Sequence, residues 1–285
     1  MSRISRRSFI ARTAALIPAS QTLFGREPLS QSDLGVQLYT VRKVIGKDPL
    51  ATLQAIQAIG YTEVEATADN LDEIWPALEK TRLKAVSIHL GHAEPGSSLD
   101  SALASCKQKG FAYVVVPSLD TARAGAEGMK HISEKLNKMG ESAKKNGLSL
   151  CYHNHAHDFT PVEGSTPIDM MMEQTQPSLV MLELDVFWAS VAGLNPADVL
   201  KKYNGRVPLV HLKDKAKAVP VQHNEKVPAT GFKAVGSGSI DFPAVLSAAA
   251  AAGVRHYFVE QDETPGDPIA SLRKSYGYLE KQFKS

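Results

Sequence analysis

The stretch Cys151-Tyr152-His153-Asn154-His155-Ala156-His157-Asp158-Phe159 packs three histidines, an asparagine and an aspartate onto the end of an apolar run. Imidazoles and a carboxylate this close suit a metal site, a catalytic base or a polar loop. Other apolar runs end the same way: His89 in VSIHLGH, Asp185 and Trp188 in LELDVFW, His211, Lys213 and Asp214 in LVHLKD, and Glu260 and Asp262 in FVEQD, with Gln37, Tyr39 and Glu65 on two more. If the runs are strands, residues two apart share a face, which pairs His153 with His155, Glu183 with Asp185, His211 with Lys213, and Glu260 with Asp262. Asp185, His211 and Glu260 each interrupt an apolar run and would be costly to bury alone. Brought together, two carboxylates and an imidazole favour a divalent ion such as Mn²⁺, Mg²⁺, Co²⁺ or Zn²⁺.

Positioning these groups requires a frame, and the order of elements supplies one. Strand candidates fall at 34–41, 62–67, 84–91, 112–119, 148–155, 180–188, 207–214 and 256–262, each followed by a longer amphipathic segment. Helix punctuation agrees: Asp48-Pro49, Asn195-Pro196 and Asp241-Phe242-Pro243 open helices, and Gly60, Gly110, Gly147 and Gly253 close them. Strand alternating with helix implies an α/β fold with a parallel sheet, and eight such units in this length give a (β/α)8 TIM barrel in a single domain. An open doubly wound sheet is the rival, but no GxGxxG follows the first strand. In a barrel the chemistry sits at the C-terminal ends of the strands, where the polar residues concentrate. Residues 215–239, rich in proline, glycine and serine, form a long loop after the seventh strand and are a candidate lid.

The chain resembles the xylose isomerase-like TIM barrels of the sugar phosphate isomerase/epimerase family, on GVQLYTVR, YHNH, ELDVFWASVAGLNP, GRVPLVHLKD, VGSGSIDF and FVEQD. The resemblance implies one divalent metal held by positions that map onto His153, Asp185, His211 and Glu260, and aldose–ketose isomerisation, epimerisation beside a carbonyl, or elimination of water as in the inosose dehydratase-like branch. It also implies that His89, on the third strand, meets the substrate. The chain departs from the pattern where His153 replaces the usual strand-five glutamate, which leaves Glu260 as the clearest base and weakens a symmetrical two-base epimerisation. His155 shares its face and is the alternative ligand. The expected catalytic set is Glu260, Lys213, His89 and His155, and the expected substrate contacts are Glu65, Trp188 and Tyr39.

Simpler readings accompany these. Asn154 points away from the mouth and makes a strand-end hydrogen bond; His157 and Asp158 read as solvated loop residues; Lys213 could pair with Glu183 or Asp185 instead of touching substrate; Glu65 reads equally as a buried polar anchor, and Trp188 as a core aromatic. Gly236-Ser237-Gly238 reads as a turn into a helix rather than a phosphate cradle, which favours an unphosphorylated or 3-keto sugar. Cys106 and Cys151, the two cysteines, read as core residues.

Across 285 residues, 32 Lys and Arg balance 30 Asp and Glu, so no field draws the chain to nucleic acid, and phosphodiester hydrolysis is disfavoured. Residues 1–30 carry Arg6-Arg7 before a short apolar run, which resembles a twin-arginine export signal and linker ahead of a barrel over 31–285. The expectation is a periplasmic or exported, metal-dependent sugar isomerase or epimerase, with a dehydratase/lyase or a non-catalytic carbohydrate-binding barrel as alternatives. Its partner would be a small carbohydrate, with no nucleic acid and no membrane in the mature form; a homo-oligomer is compatible with it.

Overall fold

The computed structural model describes residues 34–91 and 94–283, so the export-signal reading lies outside the described residues. Strands β1 (Leu34–Gln37), β2 (Glu63–Thr67), β3 (Lys84–His89), β4 (Tyr113–Val116), β5 (Ser149–His153), β6 (Val180–Asp185) and β7 (Leu209–Leu212) fall within the first seven expected runs, but β1 is shorter than expected: the Gln37 side chain accepts from the Tyr39 amide and starts a 3-10 turn over Leu38–Val41, so Tyr39 is not on the strand. The short strands β8 (Asp214–Lys215) and β9 (Phe232–Lys233) pair antiparallel inside the long loop, and β10 (His256–Val259) is the eighth expected run. The parallel strands close in the order β1-β10-β7-β6-β5-β4-β3-β2, a TIM barrel. Among the described residues no helix is long and apolar enough to cross a membrane.

The helix signals act as expected. Asp48, Asn195 and Asp241 each accept a bond from a first-turn amide with proline beside them, and Gly253 ends its helix in the left-handed region. Such caps each contribute about 1 kcal/mol. One difference matters for the site: β6 stops at Asp185, whose Oδ1 caps the helix Val186–Val191 by accepting from the Trp188 amide at 2.9 Å. Trp188 therefore sits on a helical turn and not on the sixth strand, because the aspartate that ends the strand also starts a helix.

Inside the barrel, period two separates packing from chemistry. Cys151, Leu209 and Phe258 form an apolar layer with Val86, Tyr113 and Val115. Two residues further on lie His153, His211 and Glu260, all buried. Both cysteines are free and buried, as core residues. Outside the strands, aliphatic side chains from strands and helices share one continuous core.

Candidate active site

Neighbouring strands set the polar layer in register. His153 lies opposite Glu183, and Asp185 opposite His211. A register shift in β2 between Val64 and Glu65 brings Glu65 opposite Ser87 and Thr67 opposite His89. The result is a dense array. Glu183 Oε2 lies 2.8 Å from His89 Nε2 and 3.1 Å from His153 Nδ1, while His211 Nε2 is 2.5 Å from Glu65 Oε2 and 3.4 Å from Glu183 Oε1. On its other edge His211 Nδ1 is 2.9 Å from Glu260 Oε2. Lys213, 1% exposed, places its ammonium 2.9 Å from Asp185, 2.7 Å from Glu260 and 2.6 Å from Asp262.

Burial and crowding divide these groups. Burial depresses His89, but Glu65 and Glu183 reverse that and lift it to about 10. His211 is raised for the same reason, by Glu183 and Glu65 against burial. Burial and the neighbouring His211 hold His153 well below the ordinary imidazole value, and burial with Lys213 drives His155 down to about 3. Burial raises Glu260 too, yet Lys213 and His211 outweigh it and keep the carboxyl below its usual range. Asp262, where burial and Glu260 prevail over Lys213, rises to about 6.

A cavity of about 440 Å³ opens on this array, within the ~300–1,000 Å³ of small-molecule sites. His89, His153, His155, Lys213, Glu260 and Trp188 line it, with Tyr39 at the rim. Glu65, expected to meet substrate, does not line it: it is fully buried against Gln37, His89 and His211. Of the four expected ligands, Asp185, His211 and Glu260 converge, whereas His153 joins a second group with His89, Glu183 and His211. Glu183 and Asp262 were absent from the expected site, although each shares a face with a residue that was in it. Four buried carboxylate oxygens make no hydrogen bond: Asp185 Oδ2 and Asp262 Oδ1 face the Lys213 ammonium, whereas Glu65 Oε1 and Glu183 Oε1 have no ammonium or guanidinium against them among the described residues. Orphaned anionic oxygens beside imidazole nitrogens fit a divalent cation.

The histidine-rich stretch separates into distinct roles. Asn154 joins β5 to β6, accepting from the Asp185 amide at 3.0 Å, as expected of a strand-end residue. His155 presents its ring to Trp188 and His157, and its buried Nδ1 has no partner. Asp158 and His157 are not solvated. Asp158 is fully buried and accepts from the Thr121 hydroxyl, the Tyr152 hydroxyl and the His155 amide. His157 bridges the Leu119 carbonyl and Glu225 of the long loop.

That loop covers one side of the cavity through Glu225, Val227 and Phe232, with Phe232 stacked on Phe187. Its Gly-Ser-Gly turn is closed on itself: Asp214 accepts from the Gly238 and Ile240 amides, while the Ser237 and Ser239 amides bond to Ala234 and Lys215 carbonyls. A Cβ at Gly238 would lie 2.4 Å from Asp214 Oδ1, so only glycine lets the carboxylate approach. The four successive amides from Ser237 to Ile240 are thereby engaged within the turn and not left for a phosphate.

The His157–Glu225 pair latches this loop and carries a pH signature. Burial lowers His157, but the bond to Glu225 raises it to about 9; the same bond lowers Glu225. His157's share is complete below the ordinary imidazole value and is lost as pH rises through about 9. Glu225's share is complete above the ordinary carboxylate range and is lost as pH falls through its depressed value. Amide protection factors over residues 221–228 are therefore expected to peak near pH ~5–6 and decline toward alkaline pH. His157→Gln should flatten the alkaline limb.

A family model described as the xylose isomerase-like TIM barrel matches residues 53–282. An inosose dehydratase of Clostridium botulinum is 32% identical over 174 residues, 55% of this chain and 58% of that protein, so the match spans little more than half of its length. A sugar phosphate isomerase/epimerase from Parabacteroides distasonis superposes with a TM-score of 0.74 at 22% identity, covering 87% of this chain and 97% of that one. The IolI protein, solved with a bound zinc atom, superposes with a TM-score of 0.69 at 17% identity, covering 88% and 98%. At these identities the two structures show the shared fold.

Proposed function

The chain belongs to the xylose isomerase-like TIM-barrel family, and from that premise we propose that it is a divalent-metal-dependent enzyme that eliminates water from an unphosphorylated keto-sugar or keto-polyol. The observation that carries this reading is the pair Glu260 and Asp262, which directly follow strand β10, line the cavity and share the Lys213 ammonium. Their environments push them apart, Glu260 ionised and Asp262 raised to about 6, the pattern that separates a base from an acid.

Glu260 takes the proton from the carbon beside the carbonyl, and its electron pair becomes the new double bond as the β-hydroxyl leaves. Asp262 gives that hydroxyl its proton, so water departs from the face on which the first proton was lost. His211, which belongs to both candidate ligand groups, would help hold a divalent ion there, and when bound that ion would supply positive charge to the carbonyl oxygen and acidify the adjacent C–H. That acidification lets a carboxylate as weakly basic as Glu260 act. Trp188 and Tyr39 offer the sugar ring apolar faces, and His155 offers its ring to the sugar's oxygens. The substrate carries no phosphate in this reading, because the Gly-Ser-Gly turn is internally closed and Lys213 is engaged by three carboxylates. An export signal on residues 1–30 would place the enzyme in the periplasm, among such sugars.

Isomerisation or epimerisation is the second reading, and His155 favours it. Its ring lines the cavity at a different strand end from Glu260, where a second group could return a proton. The test uses the metal-loaded protein with 3-keto-sugars and keto-polyols in D₂O. Elimination predicts loss of water with an unsaturated product; epimerisation predicts deuterium in a recovered sugar of inverted configuration. Bound metal with neither exchange nor product on any substrate would remove the enzymatic reading.

A further inference from the structure

Two groups of side chains compete for the ion, and they differ in what already neutralises them. Asp185 and Glu260, the carboxylates of the first group, both face a fixed cation: the Lys213 ammonium lies 2.9 Å from one and 2.7 Å from the other. Asp185 has also committed Oδ1 to the Trp188 amide. A divalent ion bridging Asp185 Oδ2 and Glu260 Oε2 would crowd the buried ammonium, and like charges so close in a dry site repel strongly.

The second group has no fixed cation among the described residues. Glu183 is surrounded by three imidazoles, with nitrogen–oxygen separations of 2.8 Å to His89, 3.1 Å to His153 and 3.4 Å to His211. Tetrahedral donors around an ion bound at about 2.0–2.2 Å stand about 3.3–3.6 Å apart, a spacing that His211 already meets and that His89 and His153 reach by opening roughly half an ångström. Glu183 Oε1 and Glu65 Oε1, on fully buried side chains, accept no hydrogen bond. His89 and His153 also line the cavity, so one direction of the site faces substrate.

We propose that the divalent ion is held by His89, His153, Glu183 and His211, and that Lys213, not a metal, is the cation between Asp185 and Glu260. Glu65, 2.5 Å from His211 Nε2 and 3.2 Å from His89 Nε2, flanks the ion as a further carboxylate or hydrogen-bond acceptor. The barrel mouth is then divided: the ion occupies the strand-three to strand-seven side, and Lys213 with Glu260 and Asp262 occupies the remainder. A site of three imidazoles and one carboxylate suits Zn²⁺ or Co²⁺ better than Mg²⁺. The inference rests on the metal dependence proposed above, but not on which reaction follows.

Its test is binding, with turnover measured separately. Zn²⁺ and Co²⁺ are titrated into metal-stripped full-length protein by calorimetry, and Co²⁺ absorption is recorded. Glu183→Gln is expected to weaken Zn²⁺ binding at least 100-fold and to change the Co²⁺ spectrum. Asp185→Asn and Glu260→Gln should keep one equivalent with affinity within about tenfold. The reverse ranking, or no metal bound by the wild type, overturns the proposal. Should Glu183→Gln fail to fold, anomalous scattering at the zinc edge from wild-type crystals decides: density within bonding distance of Glu183 supports it, and density between Asp185 and Glu260 overturns it. Metal at Glu183 with no turnover would leave this site standing and count only against the proposed reaction.

Discussion

Glu260→Gln is expected to lower kcat about a thousandfold while the protein keeps its metal and its fold. The amide is nearly isosteric and still meets Lys213, but it cannot accept the proton that the carboxylate removes, and general base catalysis is typically worth 10²–10⁴. Wild-type Glu260 is ionised because the ammonium 2.7 Å away and His211 2.9 Å away overcome its burial. Solvent deuterium exchange into the substrate should fall with product formation, since both need the same proton removed. Asp262→Asn separates the steps: exchange continues while loss of water slows by about a hundredfold, because only departure of the hydroxyl needs the acid. Equal loss of exchange in both variants would mean that the two residues act as a unit and that the acid assignment is wrong.

The barrel was legible because its strands are buried on both faces and punctuated at both ends. Caps such as Asp48-Pro49 and left-handed glycines such as Gly253 fixed the helices locally. The switch from apolar to polar along each strand, Cys151 to His153, Leu209 to His211, Phe258 to Glu260, was legible for the same reason. Glu183 could have been found by that rule, since LELD places it inward with Asp185; its three imidazole neighbours come from strands distant in sequence, which no local pattern reveals. Glu65 was visible as an inward carboxylate, but its depth depends on the β2 register shift. Trp188 was placed on a strand because Val-Phe-Trp has strong β propensity, and the cap from Asp185 overrode it. His157 and Asp158 looked solvated because their partners, Glu225 and Thr121, lie 68 and 37 residues away.

Asp158 carries the largest expected effect on stability, and Asp158→Ala is expected to cost about 4 kcal/mol, lowering Tm by roughly 10 °C. The side chain is fully buried and accepts from the Thr121 hydroxyl at 2.5 Å, the Tyr152 hydroxyl at 2.8 Å and the His155 amide at 2.7 Å. Alanine would strand three donors in a dry site, each costing about 1–3 kcal/mol before relaxation. Asp158→Asn should cost less than half as much, because its carbonyl oxygen still accepts while its amide group faces a donor. Burial already raises the Asp158 carboxyl, so removing its charge relieves part of a desolvation cost that alanine's orphaned donors more than replace. Thermal unfolding of the two variants, with metal content held equal, measures the difference. The functional consequence follows from position: the bond to the His155 amide sets the turn that carries its imidazole into the cavity. Asp158→Asn should therefore raise KM with little change in kcat if His155 binds substrate, and lower kcat if His155 moves a proton.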